Sequence, residues 1–197
     1  MNLQDTTICI YGASSSTIAP QYSAEAYKMG KLLAEEGASI ICGGGRAGLM
    51  AAVTDGNIQH GGKVYGVLPQ FMVDNNWQHP GLTEMIPTQT MHQRKMLMAS
   101  RADAAIALPG GVGTFDELFE IITWRQLGLF NHPVVLLNTD NYFDTLVSLI
   151  EHGVSTNFIT PSIKKLFYVA PSPESAITYL RNWSATADNI SAYKKTY

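Results

Sequence analysis

Pro109-Gly110-Gly111-Val112-Gly113-Thr114-Phe115-Asp116-Glu117 lies between an apolar run, Ala104-Ala105-Ile106-Ala107-Leu108, and the stretch Leu118-Phe119-Glu120-Ile121-Ile122-Thr123-Trp124. That order reads strand, glycine loop, helix. Three glycines in four positions let the backbone turn its N–H groups toward one point without crowding by Cβ atoms. The helix that follows adds further free N–H groups and the positive end of its dipole, so the loop suits a phosphate. Asp116 and Glu117 then place carboxylates one turn from that anion. A structural reading competes with this one. Thr114 and Glu117 have capping-box spacing, with Thr114 as N-cap and Glu117 reaching back to it, and a helix dipole favours acids in a first turn. The glycine density is what capping leaves unexplained.

Outward from this loop, strand-like and helical segments alternate along the chain. Thr6 to Tyr11 reads as a buried strand, followed by the turn Gly12-Ala13-Ser14-Ser15-Ser16. Pro20 to Glu36 has helical periodicity through Tyr22, Ala26, Met29, Leu32 and Leu33, and Gly37 stops it. Ser39 to Cys42 reads as a second strand, Leu49 to about His60 as a helix, and Lys63 to Leu68 as a third strand. Phe71 to Pro87 is a looser segment, and Met91 to Arg101 a helix. Ala104 to Leu108 and Pro133 to Leu137 are the next strands, Tyr142 to His152 a helix, Leu166 to Val169 a last strand and Ser172 to Asn182 a last helix. Such alternation implies an α/β, Rossmann-like, doubly wound parallel sheet with helices on both faces. The expectation is one domain over residues 1–183 and a polar tail over 184–197. Ligands of such sheets sit beyond the carboxyl ends of the strands, where the glycine- and serine-rich turns fall.

Composition narrows the function. A chain of 197 residues suits one well-buried α/β domain, and 46% hydrophobic with 15% charged residues describes an ordinary globule. Net charge is −3 and the 13 basic residues form no dense run, which argues against a nucleic-acid polymer as partner. There is no apolar span long enough for a membrane helix, and Met1-Asn2-Leu3-Gln4-Asp5 carries no signal-peptide pattern. A cytoplasmic location is expected. Cys9 and Cys42 each lie inside a β-branched run and read as buried free thiols. No zinc spacing occurs, the five histidines are scattered, and no metal or cofactor is implied.

Two further clusters carry alternatives. Gly43-Gly44-Gly45-Arg46-Ala47-Gly48 matches G-x-G-x-x-G, the dinucleotide fingerprint. It follows the second strand instead of the first, however, and no acidic residue ends the next strand, where Val67-Leu68-Pro69 stands. Neither glycine loop is a P-loop, since no Gly-Lys-Ser/Thr follows. In Met91-His92-Gln93-Arg94-Lys95-Met96-Leu97-Met98 the methionines read as core filler. Arg94 and Lys95 read either as a solvated pair or, next to a phosphate loop, as anion-recognising groups.

The two clusters together resemble the LOG (Lonely Guy) family, whose members are often labelled lysine decarboxylase-like. Its P-G-G-x-G-T-x-x-E hallmark is met from Pro109 to Glu117, and its M-H-x-R-K element by Met91, His92, Arg94 and Lys95. Gly43-Gly44-Gly45 with Gly48-Leu49-Met50, Leu82-Thr83-Glu84, Thr123-Trp124, Gln126-Leu127-Gly128 and Leu137-Asn138 support it. The similarity covers about residues 6 to 160. It departs mildly at Gly12 to Ser16 and at Asp116, where Glu is common.

The resemblance implies a Rossmann-like homodimer that hydrolyses the N-glycosidic bond of nucleoside 5′-monophosphates, cytokinin ribotides or AMP, to free base and ribose 5-phosphate. Carried over by position, Arg94 and Glu117 are the catalytic pair. Glu84, Arg94, Lys95, Gly110, Gly111, Val112, Gly113, Thr114, Phe115, Asp116 and Thr123 contact the nucleotide. No motif argues for a pyridoxal-phosphate lysine. The rival from another class is a non-catalytic carrier of a nucleotide or phosphorylated cofactor. It would need the cradle but not Glu117 and Arg94 together.

Overall fold

The computed structural model describes residues 1–185. Seven parallel strands form one sheet: β1 (Thr7–Tyr11), β2 (Ser39–Cys42), β3 (Val64–Pro69), β4 (Glu84–Thr88), β5 (Ala104–Ala107), β6 (Val134–Leu137) and β7 (Tyr168–Ala170). Their spatial order is β4-β3-β2-β1-β5-β6-β7. From β1 the chain winds outward to β4, then returns to lay β5 beside β1 and winds the other way. The sheet is thus doubly wound, and its switch point lies between β1 and β5, where the connecting loops diverge and leave a crevice.

Side chains alternate faces along each strand, and two cores follow from that period. Ile8, Ile10, Ile40, Cys42 and Ile106 face one core. It is closed by α1 (Pro20–Glu35), α2 (Gly48–Ile58) and α7 (Pro173–Asn182). Cys9, Tyr11, Ile41, Val67, Ala105 and Ala107 face the other. It is closed by α4 (Met91–Ser100), α5 (Val112–Leu127) and α6 (Asp144–Ser155). Strands buried on both faces must be apolar throughout, which is why they read as continuous hydrophobic runs. Both cysteines are free and buried. No helix among the described residues is long and apolar enough to cross a membrane.

The segment read as loose holds two elements, α3 (Gln70–Asp74) and the edge strand β4. Pro87 argues against a central strand. At the sheet edge β4 pairs with β3 alone, so the missing N–H costs no ladder bond on its outer side. Elsewhere the expected boundaries shift by one to three residues, most at α6. Tyr142 precedes α6 instead of starting it, in a connection where Asp140 and Asn141 take left-handed backbone. On α4, only Met98 among the methionines is core; Met91 and Met96 are exposed, since a short helix lying on the sheet buries one narrow face. The tail expected from Ser184 lies outside the described residues except for Ser184 and Ala185.

Helices α1 and α2 cross in backbone contact. A Cβ on Gly30 would overlap the Val53 carbonyl, and one on Gly56 the Tyr27 carbonyl. The buried Asn57 amide donates to the Gly30 carbonyl across the same junction (3.2 Å). By helix propensity alone, Gly56→Ala should stabilise by about 1 kcal/mol. The backbone overlap opposes this, because neither carbonyl can move without separating the helices. We expect a net loss of about 2 kcal/mol and a Tm fall of roughly 4–8 °C in a thermal melt; an unchanged or higher Tm would contradict this account of the junction.

Candidate active site

A cavity of about 500 Å³ opens at the carboxyl ends of β1, β2, β3 and β5, beside the switch point. Its floor is the start of α5. That helix begins at Val112 with Gly111 as N-cap, in extended backbone and with no side-chain cap. The capping-box reading is thereby overturned. Thr114 is the third residue of the helix, buried, with its side chain packed over Gly110 where a Cβ would collide with it. Helix geometry leaves the N–H groups of Val112, Gly113 and Thr114 without intrahelical acceptors, and none finds another among the described residues. They converge with the positive end of the dipole at the cavity. Around Gly113 an added Cβ would meet nothing, and its φ is not left-handed. The folded chain therefore does not itself require glycine there.

Glu117 comes one turn later and faces inward, against Arg94 from α4. Helix α4 starts where the Thr90 hydroxyl caps the Gln93 N–H (3.1 Å). Its Arg94 then reaches under the cavity. Nε donates to the Val67 carbonyl on β3 (3.0 Å) and Nη1 to Glu117 Oε1 (2.7 Å). Nη2 occupies the space where a Cβ on Gly43 would stand. Both side chains are about nine-tenths removed from solvent. Burial pushes the Glu117 carboxyl above its usual range, and Arg94 opposes that rise without cancelling it. The result is a carboxylate more basic than usual and held in one orientation. Arg94 is thus directed to Glu117 and is not the solvated residue that the sequence also allowed.

Lys95, the neighbouring candidate, turns the other way. Its ammonium bridges Asp116 (3.0 Å) and Glu120 (3.2 Å), both on α5. Burial works against the charge of Lys95, but the two carboxylates outweigh it and hold its pKa above the usual value. Lys95 does not line the cavity, whereas Asp116, which it fixes, does.

The cavity brings together Arg94, Gly111, Gly113, Thr114, Asp116 and Glu117. Gly110 lies just behind, on an adjoining cavity of about 260 Å³. Val112 exposes its side chain, and Phe115 packs against the core under α5. Thr123 lies on the exposed side of α5, its hydroxyl bonded to the Phe119 carbonyl (2.7 Å). Glu84 is the exposed first residue of β4, paired with Tyr65 near the start of β3. It stands at the end of the sheet away from the cavity, because parallel strands put their amino ends there. Neither Glu84 nor Thr123 is brought to the cavity of this chain.

The sequence reading missed the opposite wall formed by Met50, Leu68, Met72 and Trp77, which Met91 completes. Trp77 arrives because the segment after α3 is clasped to the glycine loop after β2. Arg46 N–H donates to the Trp77 carbonyl (3.0 Å) and His79 N–H to the Gly44 carbonyl (2.8 Å). The one local signal was a Trp alone in a polar stretch. The cavity is therefore bipolar: N–H groups and carboxylates on one side, apolar side chains on the other. No group of three or more His, Cys, Asp or Glu among the described residues could hold a metal ion.

Comparison with known proteins agrees with this architecture. Residues 50–180 match a family described as possible lysine decarboxylase. The chain is 38% identical over 186 residues to a cytokinin riboside 5′-monophosphate phosphoribohydrolase of Arabidopsis thaliana, covering 94% of this chain and 85% of that protein. It is 44% identical over 163 residues to the protein of that name from Rhodococcoides fascians, covering 82% of each. Among solved structures, the molybdenum cofactor binding protein of Rippkaea orientalis has a TM-score of 0.70 at 23% identity, covering 90% of this chain and 96% of that one. The Moco carrier protein of Chlamydomonas reinhardtii has a TM-score of 0.70 at 22% identity, covering 93% and 99%. At such identities the likeness is one of fold alone. On sequence, the chain belongs to the LOG family, a family of phosphoribohydrolases in spite of the lysine decarboxylase label on its sequence model.

Proposed function

We propose that this protein hydrolyses the N-glycosidic bond of nucleoside 5′-monophosphates, cytokinin ribotides or AMP, releasing the free base and ribose 5-phosphate. The observation that carries this reading is the buried Arg94–Glu117 pair one turn from the free N–H groups at the start of α5. The phosphate sits on the N–H groups at the start of α5, and Asp116 faces the ribose hydroxyls. The base extends toward Met50, Met72 and Trp77. Cleavage builds positive charge on the sugar ring, as in glycoside hydrolysis. Glu117 stabilises that charge and accepts a proton from the attacking water. Water oxygen bonds to C1′ as the bond to the base nitrogen breaks; one water hydrogen remains on the new hydroxyl and the other ends on the base. The remote phosphate contacts fix the reacting centre against Glu117. An intracellular nucleotide substrate agrees with a cytoplasmic location.

Incubation with AMP and with adenosine, assayed for adenine, tests this reading. Adenine should appear from AMP and far more slowly from adenosine. Equal turnover of the two would remove the phosphate anchor, and no turnover of any nucleoside monophosphate would leave a carrier as the better reading.

Glu117→Gln keeps the shape and an acceptor for Arg94 while removing the charge. Turnover should fall by about two to four orders of magnitude with the fold retained. Ionised Glu117 is the active form, so wild-type activity should fall as pH drops through its raised pKa, above the usual 4.5. An acid limb at or below that value would contradict the role given to burial.

The protein is further proposed to act as a homodimer. Met96 on α4 and Phe119 and Leu127 on α5 expose apolar surface on helices already tied together by Lys95. Light scattering at micromolar concentration should give twice the chain mass, and a monomer mass would refute the pairing.

A further inference from the structure

Three consecutive carbonyls lead into the cradle, and each has its own donor. The Pro109 carbonyl accepts from the Ala13 N–H (3.1 Å) and the Gly111 carbonyl from the Phe115 N–H (3.0 Å). Between them, the Gly110 carbonyl accepts from the Tyr142 hydroxyl (2.6 Å). The outer two bonds are backbone to backbone. The middle one alone is made by a side chain, brought from 32 residues away.

A trans peptide is planar, so its C=O and N–H point to opposite sides. A hydroxyl that holds the Gly110 carbonyl on the Tyr142 side therefore holds the Gly111 N–H on the other side, toward the large cavity that Gly111 lines. Between two glycines no Cβ resists rotation of this peptide. Turned over, it would aim a carbonyl oxygen, not an N–H, at an anion in the cradle. The orientation needs a lock.

The connection from β6 to α6 is built to deliver one. Asn138 accepts the Phe143 N–H (2.7 Å) and donates to Asp144 (2.8 Å), while the Tyr142 N–H bonds the Thr139 carbonyl (3.1 Å). Asp140 and Asn141 both hold left-handed backbone, with φ of 52° and 58°. Such conformations cost non-glycine residues energy and persist where the surroundings impose them. The Tyr142 ring lies edge-on to Tyr22 (centroids 6.2 Å) and Phe143 (5.2 Å), which fixes where its hydroxyl points.

We propose that Tyr142 is a positioning residue of the anion site, its hydroxyl locking the Gly110–Gly111 peptide so that the Gly111 N–H faces the phosphate of the ligand. The inference rests on the reading of the cradle as a phosphate site, but not on hydrolysis.

Tyr142→Phe keeps the ring contacts and removes only the bond to Gly110. Wild type and variant are titrated with inorganic phosphate and with adenine, and kcat and KM are measured for AMP. Phosphate affinity should weaken and KM for AMP rise together, by about five- to twentyfold. Adenine affinity should stay within about twofold of wild type. Tyr22→Phe removes a hydroxyl on the same wall that faces Asp140 (3.4 Å) and leaves Gly110 untouched, so it should bind phosphate as wild type does. Unchanged phosphate affinity in folded Tyr142→Phe, or equal weakening of phosphate and adenine, overturns the proposal. If wild type turns over no nucleotide, the hydrolase reading fails while the phosphate titration still decides the role of Tyr142.

Discussion

A buried guanidinium is stable only where each of its faces meets an acceptor or a well-packed neighbour, and Arg94 meets that demand with three different parts of the chain. Val67 supplies a strand-end carbonyl, Glu117 a carboxylate and Gly43 an absence of side chain. Removing one partner of such a pair leaves an uncompensated charge in low dielectric, a far larger penalty than the pair's net contribution. The pair therefore constrains its surroundings more than it stabilises them. Helices α4 and α5 must dock at one mutual height, β3 must end at one level, and a side chain at residue 43 would push the guanidinium out of place. The loop that carries the cradle is fixed relative to the acid for the same reason.

The sheet topology is what makes this convergence possible. All the strands run the same way, so every strand-to-helix loop opens at one end. The reversal of winding between β1 and β5 then separates two of those loops enough to leave space between them. Glycines line that space on several sides for different reasons. At Gly48 the φ of +61° and the nearby Ala13 and Ser15 carbonyls exclude a side chain. At Gly113 nothing in the folded chain excludes one.

What could be read from sequence was what depends on local backbone chemistry. The strand, glycine loop and helix around Pro109 to Glu117 are dictated by residues within a dozen positions of one another. The alternation of apolar runs gave the parallel sheet on the same grounds. What could not be read depends on docking. Glu117 fits a capping box as well as a buried acid until α4 brings Arg94 against it. Lys95 looks like an anion ligand until Asp116 and Glu120 are seen to share it. Strand β4 is hidden by Pro87, which an edge position tolerates and a central one would not. Trp77 enters the cavity through two backbone bonds to a loop some thirty residues earlier, a pairing with no periodic signature.

The clasp between the glycine loop after β2 and the segment after α3 divides the cavity by origin. The acid, its arginine and the cradle come from α4, α5 and the loop before it, whereas the apolar wall comes mainly from the chain between β2 and β4. Because the clasp is made by main-chain groups of Gly44, Arg46, Trp77 and His79, side chains on that wall can change without loosening it. Two nearly independent modules result: the side chains of one can vary in size and shape while the buried ion pair and glycine loop of the other stay unchanged.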